Sequence, residues 1–119
     1  MSGGNQSTNN FSKINGMNQI AFKMYLKPNK VEEYKKRHYK IWPQLRNLLK
    51  ESGIGAYYIF HDPETNILFA YQETEGKDSQ SLGENPIVQK WWEYMSDLME
   101  THPDLSPKQL NLNKVFSLR

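Results

Sequence analysis

Ile20, Phe22, Met24 and Leu26 occupy every second position of one stretch, and Val31, Tyr34, His38, Ile41, Leu45 and Leu48 then recur at the three-four spacing of a single helix face. Only a short break containing Lys27, Pro28 and Asn29 separates the two patterns. This change of period constrains the fold more than any other feature, because a half-buried strand and an amphipathic helix joined so closely must bury their apolar sides together. The strand is expected from Asn18 to Leu26. Asn29 followed by Glu32 reads as an N-cap with its capping box. Glu33 precedes Arg37 by one helical turn, as a favourable ion pair requires. Pro43 is expected to kink or restart the helix near Trp42, and Ser52 and Gly53 to stop it.

The segments Ile54 to His61 and Ile67 to Glu73 are dense in aromatic and β-branched residues and flank the turn Asp62, Pro63, Glu64, Thr65, Asn66, so they read as a hairpin. Thr74 to Gly83 is polar and glycine-bearing, a loop. Asn85 and Pro86 then supply an N-cap and a first-turn proline. The helix they open carries an inward stripe of Val88, Trp91, Trp92, Met95, Leu98 and Met99, and Thr101, His102 and Pro103 end it. A last strand is expected to place Leu110, Leu112, Phe116 and Leu118 on one face. The order βαββαβ implies an α+β fold of ferredoxin-like type, an antiparallel four-stranded sheet with both helices on one face. The hairpin strands are apolar on both sides, so the second sheet face also needs a cover, and a homodimer formed sheet to sheet is the expected one.

With 119 residues the chain accommodates one domain, expected over 18–119. Residues 1–17, rich in Ser, Gly and Asn, read as a disordered leader. Lys and Arg number 15 against 13 Asp and Glu, and the two signs are interleaved, which argues against nucleic acid as a partner. The absence of cysteine excludes disulfides, thiolate metal sites and cysteine nucleophiles. No apolar run approaches the ~20 residues of a membrane span. The N-terminus lacks the order of a secretory signal, so a soluble cytoplasmic protein is expected.

Tyr34 and His38 are the polar-tipped members of an otherwise apolar helix face, set one turn apart. A lone histidine in such a place is usually a satisfied core group. The phenol beside it gives two donor-acceptor groups aimed at one spot, suited either to proton transfer near neutrality or simply to satisfying each other. Trp91 and Trp92 point about 100° apart on their helix, so one is expected in the core while the other lines a cavity, where an indole face complements a sugar ring, or completes an aromatic core stripe. Tyr57 is either a strand-favouring choice or part of a site lining. His61 and His102 lack metal-ligand spacing with His38, and no glycine-rich loop follows a strand, so neither a metal nor a nucleotide cofactor is expected.

These residues resemble a known family. Glu33, Tyr34, Lys35, Lys36, Arg37, His38, then Ile41, Trp42, Pro43, Gln44, Leu45, with Trp91, Trp92, Glu93, Tyr94, Met95 and Pro103, Asp104, Leu105, Ser106, Pro107, are similar to L-rhamnose mutarotases from about Asn18 to the C-terminus. The resemblance implies a dimeric α+β barrel that interconverts the α and β anomers of L-rhamnose without metal or cofactor, with His38 as proton donor and Tyr34, Tyr57, Trp91 and Trp92 against the sugar. Lys77 to Glu84 departs from the family pattern, and His61 and His102 have no counterpart in it. The residues alone leave open a cofactor-free or haem-dependent monooxygenase on the same fold and a non-catalytic sugar-binding module. The second acid-base group is open as well, with a water or Tyr57 as candidates.

Overall fold

A computed structural model describes residues 13–14, 17–75 and 78–118. In chain order the elements are β1 (Lys13–Ile14), β2 (Met17–Tyr25), α1 (Val31–Tyr39), α2 (Pro43–Glu51), β3 (Ile54–Asp62), β4 (Ile67–Thr74), a 3₁₀ turn (Asp78–Glu84), α3 (Pro86–Met95) and β5 (Gln109–Asn111). All pairings are antiparallel. β4 lies between β2 and β3, and β1 and β5 share the other edge of β2. The expected α+β arrangement is therefore present, with β1 added at the edge. The first two residues of that addition and Met17 lie within the stretch expected to be a leader; the rest of it, residues 1–12, 15 and 16, is outside the described residues.

Register explains the core. Phe22 pairs with Ala70 and Met24 with Leu68, while Ile59 faces Ala70 from β3, so these side chains rise on one sheet face. Tyr34, Leu45, Val88, Trp91, Met95, Leu98 and Met99 close over them as one buried cluster. The opposite face carries Tyr58 opposite Tyr71 and Phe60 opposite Phe69, with Tyr58 56% and Phe60 65% exposed in the single chain.

Three local departures from the sequence expectations have physical causes, and one expectation is resolved. The capping box does not form: Lys30 is the N-cap without a side-chain cap, and Asn29 is used in a left-handed turn at φ 61°, a conformation asparagine tolerates well. Of the two outcomes expected at Pro43, a kink or a restart, the helix restarts. Trp42 takes φ −59°, ψ 131°, the extended geometry imposed on a residue before proline, and Pro43 opens α2 at its first turn. The second helix ends at Met95, short of Thr101, because the following backbone pairs with the end of β2 and just beyond: Lys27 N–H donates to the Leu98 carbonyl at 2.8 Å and Glu100 N–H to that of Tyr25 at 3.0 Å.

The last strand is the third departure. It covers Gln109–Asn111 and is extended only by the Leu112 N–H donating to the Ala21 carbonyl at 2.8 Å. Farther along, β1 occupies the edge of β2 through Lys13 with Asn18 and Ile14 with Met17, so the strand cannot run on to that end of β2. Leu110, Leu112, Phe116 and Leu118 are all exposed in consequence, and Lys114 is tied down by its ammonium donating to the Gln19 side-chain oxygen. Other expectations hold locally: Arg37 Nε donates to Glu33 at 2.9 Å, Asn85 accepts from the Ile87 N–H at 2.8 Å, and Gly53 ends α2 at φ 91°.

Candidate active site

α1 places Tyr34 and His38 one turn apart because both lie on the face it turns to the sheet. The imidazole lies against the phenol ring at 4.3 Å between centroids, 26° from parallel. It meets Trp91 at 5.4 Å and 85°. Nδ1 of His38 is 3.2 Å from the Tyr34 carbonyl oxygen. A carbonyl oxygen only accepts, so Nδ1 carries the proton, and Nε2 of the neutral ring keeps its lone pair. Among the described residues Nε2 makes no hydrogen bond to the protein. Burial lowers the imidazole pKa, partly offset by the Tyr34 carbonyl, so the ring is neutral at pH 7.

Tyr34 is 5% exposed. Burial first, and the nearby Tyr57 second, push its phenol well above the ordinary tyrosine range. The Tyr57 phenol is likewise raised by burial, with a hydrogen bond from Gln72 working the other way. At neutrality both phenols are therefore protonated, O–H donors beside one imidazole acceptor.

All five residues singled out from the sequence, Tyr34, His38, Tyr57, Trp91 and Trp92, line one pocket of about 100 Å³ that opens into a wider cleft between the helices and the sheet. The two tryptophans divide as their spacing requires. Trp91 is buried, with its ring perpendicular to Trp42 at 5.0 Å, whereas Trp92 is half-buried at the cleft. A Cβ on Gly83 would come within 2.9 Å of the Trp92 ring, so a glycine is needed there for the 3₁₀ turn to pack against the indole.

Arg37 fastens α1 to the end of α3. Its Nη1 donates to the Tyr94 carbonyl at 2.6 Å and to Asp97 at 2.9 Å, Nη2 donates to Asp97 at 3.2 Å, and the guanidinium lies 4.6 Å from the centre of the Tyr94 ring. Asp97 is held below the usual carboxylate range by this partner. The carboxylates of the clamp face solvent, so its value lies in fixing the next residue, His38, against Trp91 more than in stability.

The pocket floor comes partly from the connection after α3. A bridge from Thr101 to Pro107, with His102 N–H donating to the Ser106 carbonyl at 2.9 Å, folds Leu105 and Pro107 into the lining. Gln72 was missed by the sequence reading. Its signal was available: on the inward alternation Leu68, Ala70, Gln72, Thr74 of β4 it is the long polar side chain. His61 lies at the cleft but is engaged structurally, its Nε2 2.9 Å from Asn66 Oδ1, and His102 is exposed outside the pocket. Among the described residues no group of three His, Cys, Asp or Glu stands together as a metal site would require, and no helix is long and apolar enough to cross a membrane.

The chain is similar to known proteins over most of its length. A family model described as L-rhamnose mutarotase matches residues 19–118. The chain is 55% identical to an L-rhamnose mutarotase of Bacteroides thetaiotaomicron over 103 residues, 86% of this chain and 99% of that protein. It is 52% identical to one of Phocaeicola vulgatus over the same shares of each chain. The crystal structure of an L-rhamnose mutarotase from Formosa agariphila superposes with a TM-score of 0.79 at 44% identity, covering 85% of this chain and 98% of that one. A conserved protein of Methanosarcina mazei, at TM-score 0.55 and 18% identity, shares the fold.

Proposed function

This chain belongs to the L-rhamnose mutarotase family, and we propose from the geometry of its pocket how it interconverts the α and β anomers of L-rhamnose. The observation that carries the proposal is the hydrogen bond from Nδ1 of His38 to the Tyr34 carbonyl, which leaves Nε2 as a base in a pocket lined also by the two protonated phenols. His38 Nε2 takes the proton of the anomeric hydroxyl, the C1–O5 bond breaks, and Tyr57 gives its proton to O5. Rotation about C1–C2 turns the other aldehyde face toward O5. On reclosure O5 returns its proton to Tyr57, and the imidazolium gives the first proton back to O1. His38 is therefore base on opening and donor on closing, as microscopic reversibility requires. Tyr34 holds a sugar hydroxyl, Trp92 covers the ring at the cleft and Trp91 backs the imidazole.

Saturation transfer between the anomeric protons of L-rhamnose is expected to rise sharply when the protein is added, and no acceleration over buffer would refute the function. The rate should also depend on pH. The folded imidazole pKa lies below its unfolded value of ~6.5, so kcat/KM falls as pH drops through the lowered value, where Nε2 becomes protonated. The same sign applies to stability: the unfolded chain binds this proton more readily, so the contribution is complete above about pH 6.5 and is lost on acidification. An activity limb above the ordinary histidine range would contradict the neutral resting ring.

We also read the exposed sheet face around Tyr58 and Phe60 as the contact between two copies in a homodimer. Light scattering should give twice the mass of one chain, and Phe60→Glu should shift the population toward single chains. A wild-type protein of single-chain mass would refute the dimer.

A further inference from the structure

Gln72 stands directly opposite Tyr57 in the β3–β4 ladder, and both line the cleft that holds His38. The register of that ladder shifts between Ile54 and Tyr57, and such an irregularity re-aims the side chain that follows it. Directly opposed residues of an antiparallel ladder rise on the same sheet face, so the Gln72 amide and the Tyr57 phenol stand side by side on the inward one. Its partner across β2 is Ile20, an apolar side chain that offers the amide no alternative hydrogen bond.

A phenol hydroxyl has one proton and lone pairs that accept. The Gln72 amide offers both an N–H and a carbonyl, and which one faces Tyr57 decides where the phenol proton goes. If the carbonyl faced it, that proton would be held by the sheet. If the N–H faced it, an oxygen lone pair would be filled and the proton left free, the only arrangement in which the phenol can act as the acid that ring opening requires. We propose that Gln72 is a positioning residue that donates its amide N–H to Tyr57 Oη and so directs the single phenol proton into the cleft, toward the ring oxygen of the sugar. The inference rests on the acid-base reading above and adds to it the group that orients the acid.

The test is a double-mutant cycle on anomer exchange with Gln72→Leu, Gln72→Glu and Tyr57→Phe, reading kcat and KM separately and checking folding by thermal unfolding. Gln72→Leu is expected to lower kcat about 10-fold, the worth of one well-placed hydrogen bond, with little change in KM. In the Tyr57→Phe background the same change should have no further effect, because Gln72 acts through the hydroxyl. Gln72→Glu keeps the size but can only accept when ionised, so it should capture the phenol proton and lose at least as much activity. Should Gln72→Leu fail to fold, the Glu variant completes the cycle. Equal losses in both Tyr57 backgrounds, or a Gln72→Glu enzyme as active as wild type, would overturn the role of Gln72 and leave Tyr57 as the acid. A Tyr57→Phe enzyme with wild-type kcat would overturn both.

Discussion

His38→Ala should fold and yet exchange the anomers of L-rhamnose about 10²- to 10⁴-fold more slowly than wild type, the usual contribution of one positioned proton transfer. The loss belongs in kcat, because on the proposed reading Tyr34, Tyr57 and Trp92 remain to hold the sugar and KM should move little. Removing the imidazole takes away the flat contact with Tyr34 at 4.3 Å and the perpendicular one with Trp91 at 5.4 Å. It also frees the Tyr34 carbonyl, which the helix can offer to water in the enlarged pocket. A modest loss of stability is expected, so exchange must be compared at a temperature where both proteins are folded. His38→Asn is the sharper variant, since its amide can keep a bond to the carbonyl but supplies no base. Exchange at the wild-type rate by either folded variant would remove His38 from the chemistry.

The largest effect on stability is expected from Trp91→Ala. Trp91 is 8% exposed and joins three elements: His38 on α1, Trp42 just before α2 at 5.0 Å, and Tyr94 on its own helix at 5.6 Å. Deleting so large a buried ring costs about 3–5 kcal/mol. In a domain of this size that lowers Tm by roughly 10–30 °C. Activity should fall as well, because the ring that backs the imidazole is gone. Trp92→Ala is the contrast. That indole is half-buried and packs against Gly83, so its removal should cost far less stability and appear mainly as a raised KM. Calorimetry on the two variants, with KM measured on each, separates the roles. A Tm for Trp92→Ala as low as that for Trp91→Ala would show that both rings are structural.

Where the sequence was readable, periodicity was the reason. The alternation through Phe22, Met24 and Leu26 and the three-four stripe through Tyr34, His38, Ile41 and Leu45 predict elements that share a core, and the core formed by Phe22, Met24, Tyr34 and Leu45 is that prediction realised. The division of labour between Trp91 and Trp92 follows from their angular separation on a helix. What escaped the reading depended on contacts remote in sequence. The last strand cannot reach the end of β2 because β1, far away in the chain, takes that part of the edge. The second helix stops early because backbone groups near Leu98 find partners at the end of β2. Gln72 was visible as a polar residue on an apolar alternation, but its meaning required the cross-strand register that sets it opposite Tyr57. The state of His38 was equally out of reach: one-turn spacing to Tyr34 left proton transfer and a bond between the two side chains both open, whereas the ring bonds the Tyr34 backbone carbonyl and stacks on its phenol.

That backbone bond is the centre of the mechanism, and it can be observed directly. A long-range ¹H–¹⁵N spectrum of the protein labelled at histidine, followed through a pH titration, reports which ring nitrogen of His38 carries the proton and where the ring becomes charged. The account predicts the Nδ1–H form near neutrality, an unprotonated Nε2, and a titration midpoint below ~6.5 that coincides with the acid limb of kcat/KM. A neutral ring protonated on Nε2, or an imidazolium that persists above the ordinary histidine range, would contradict it.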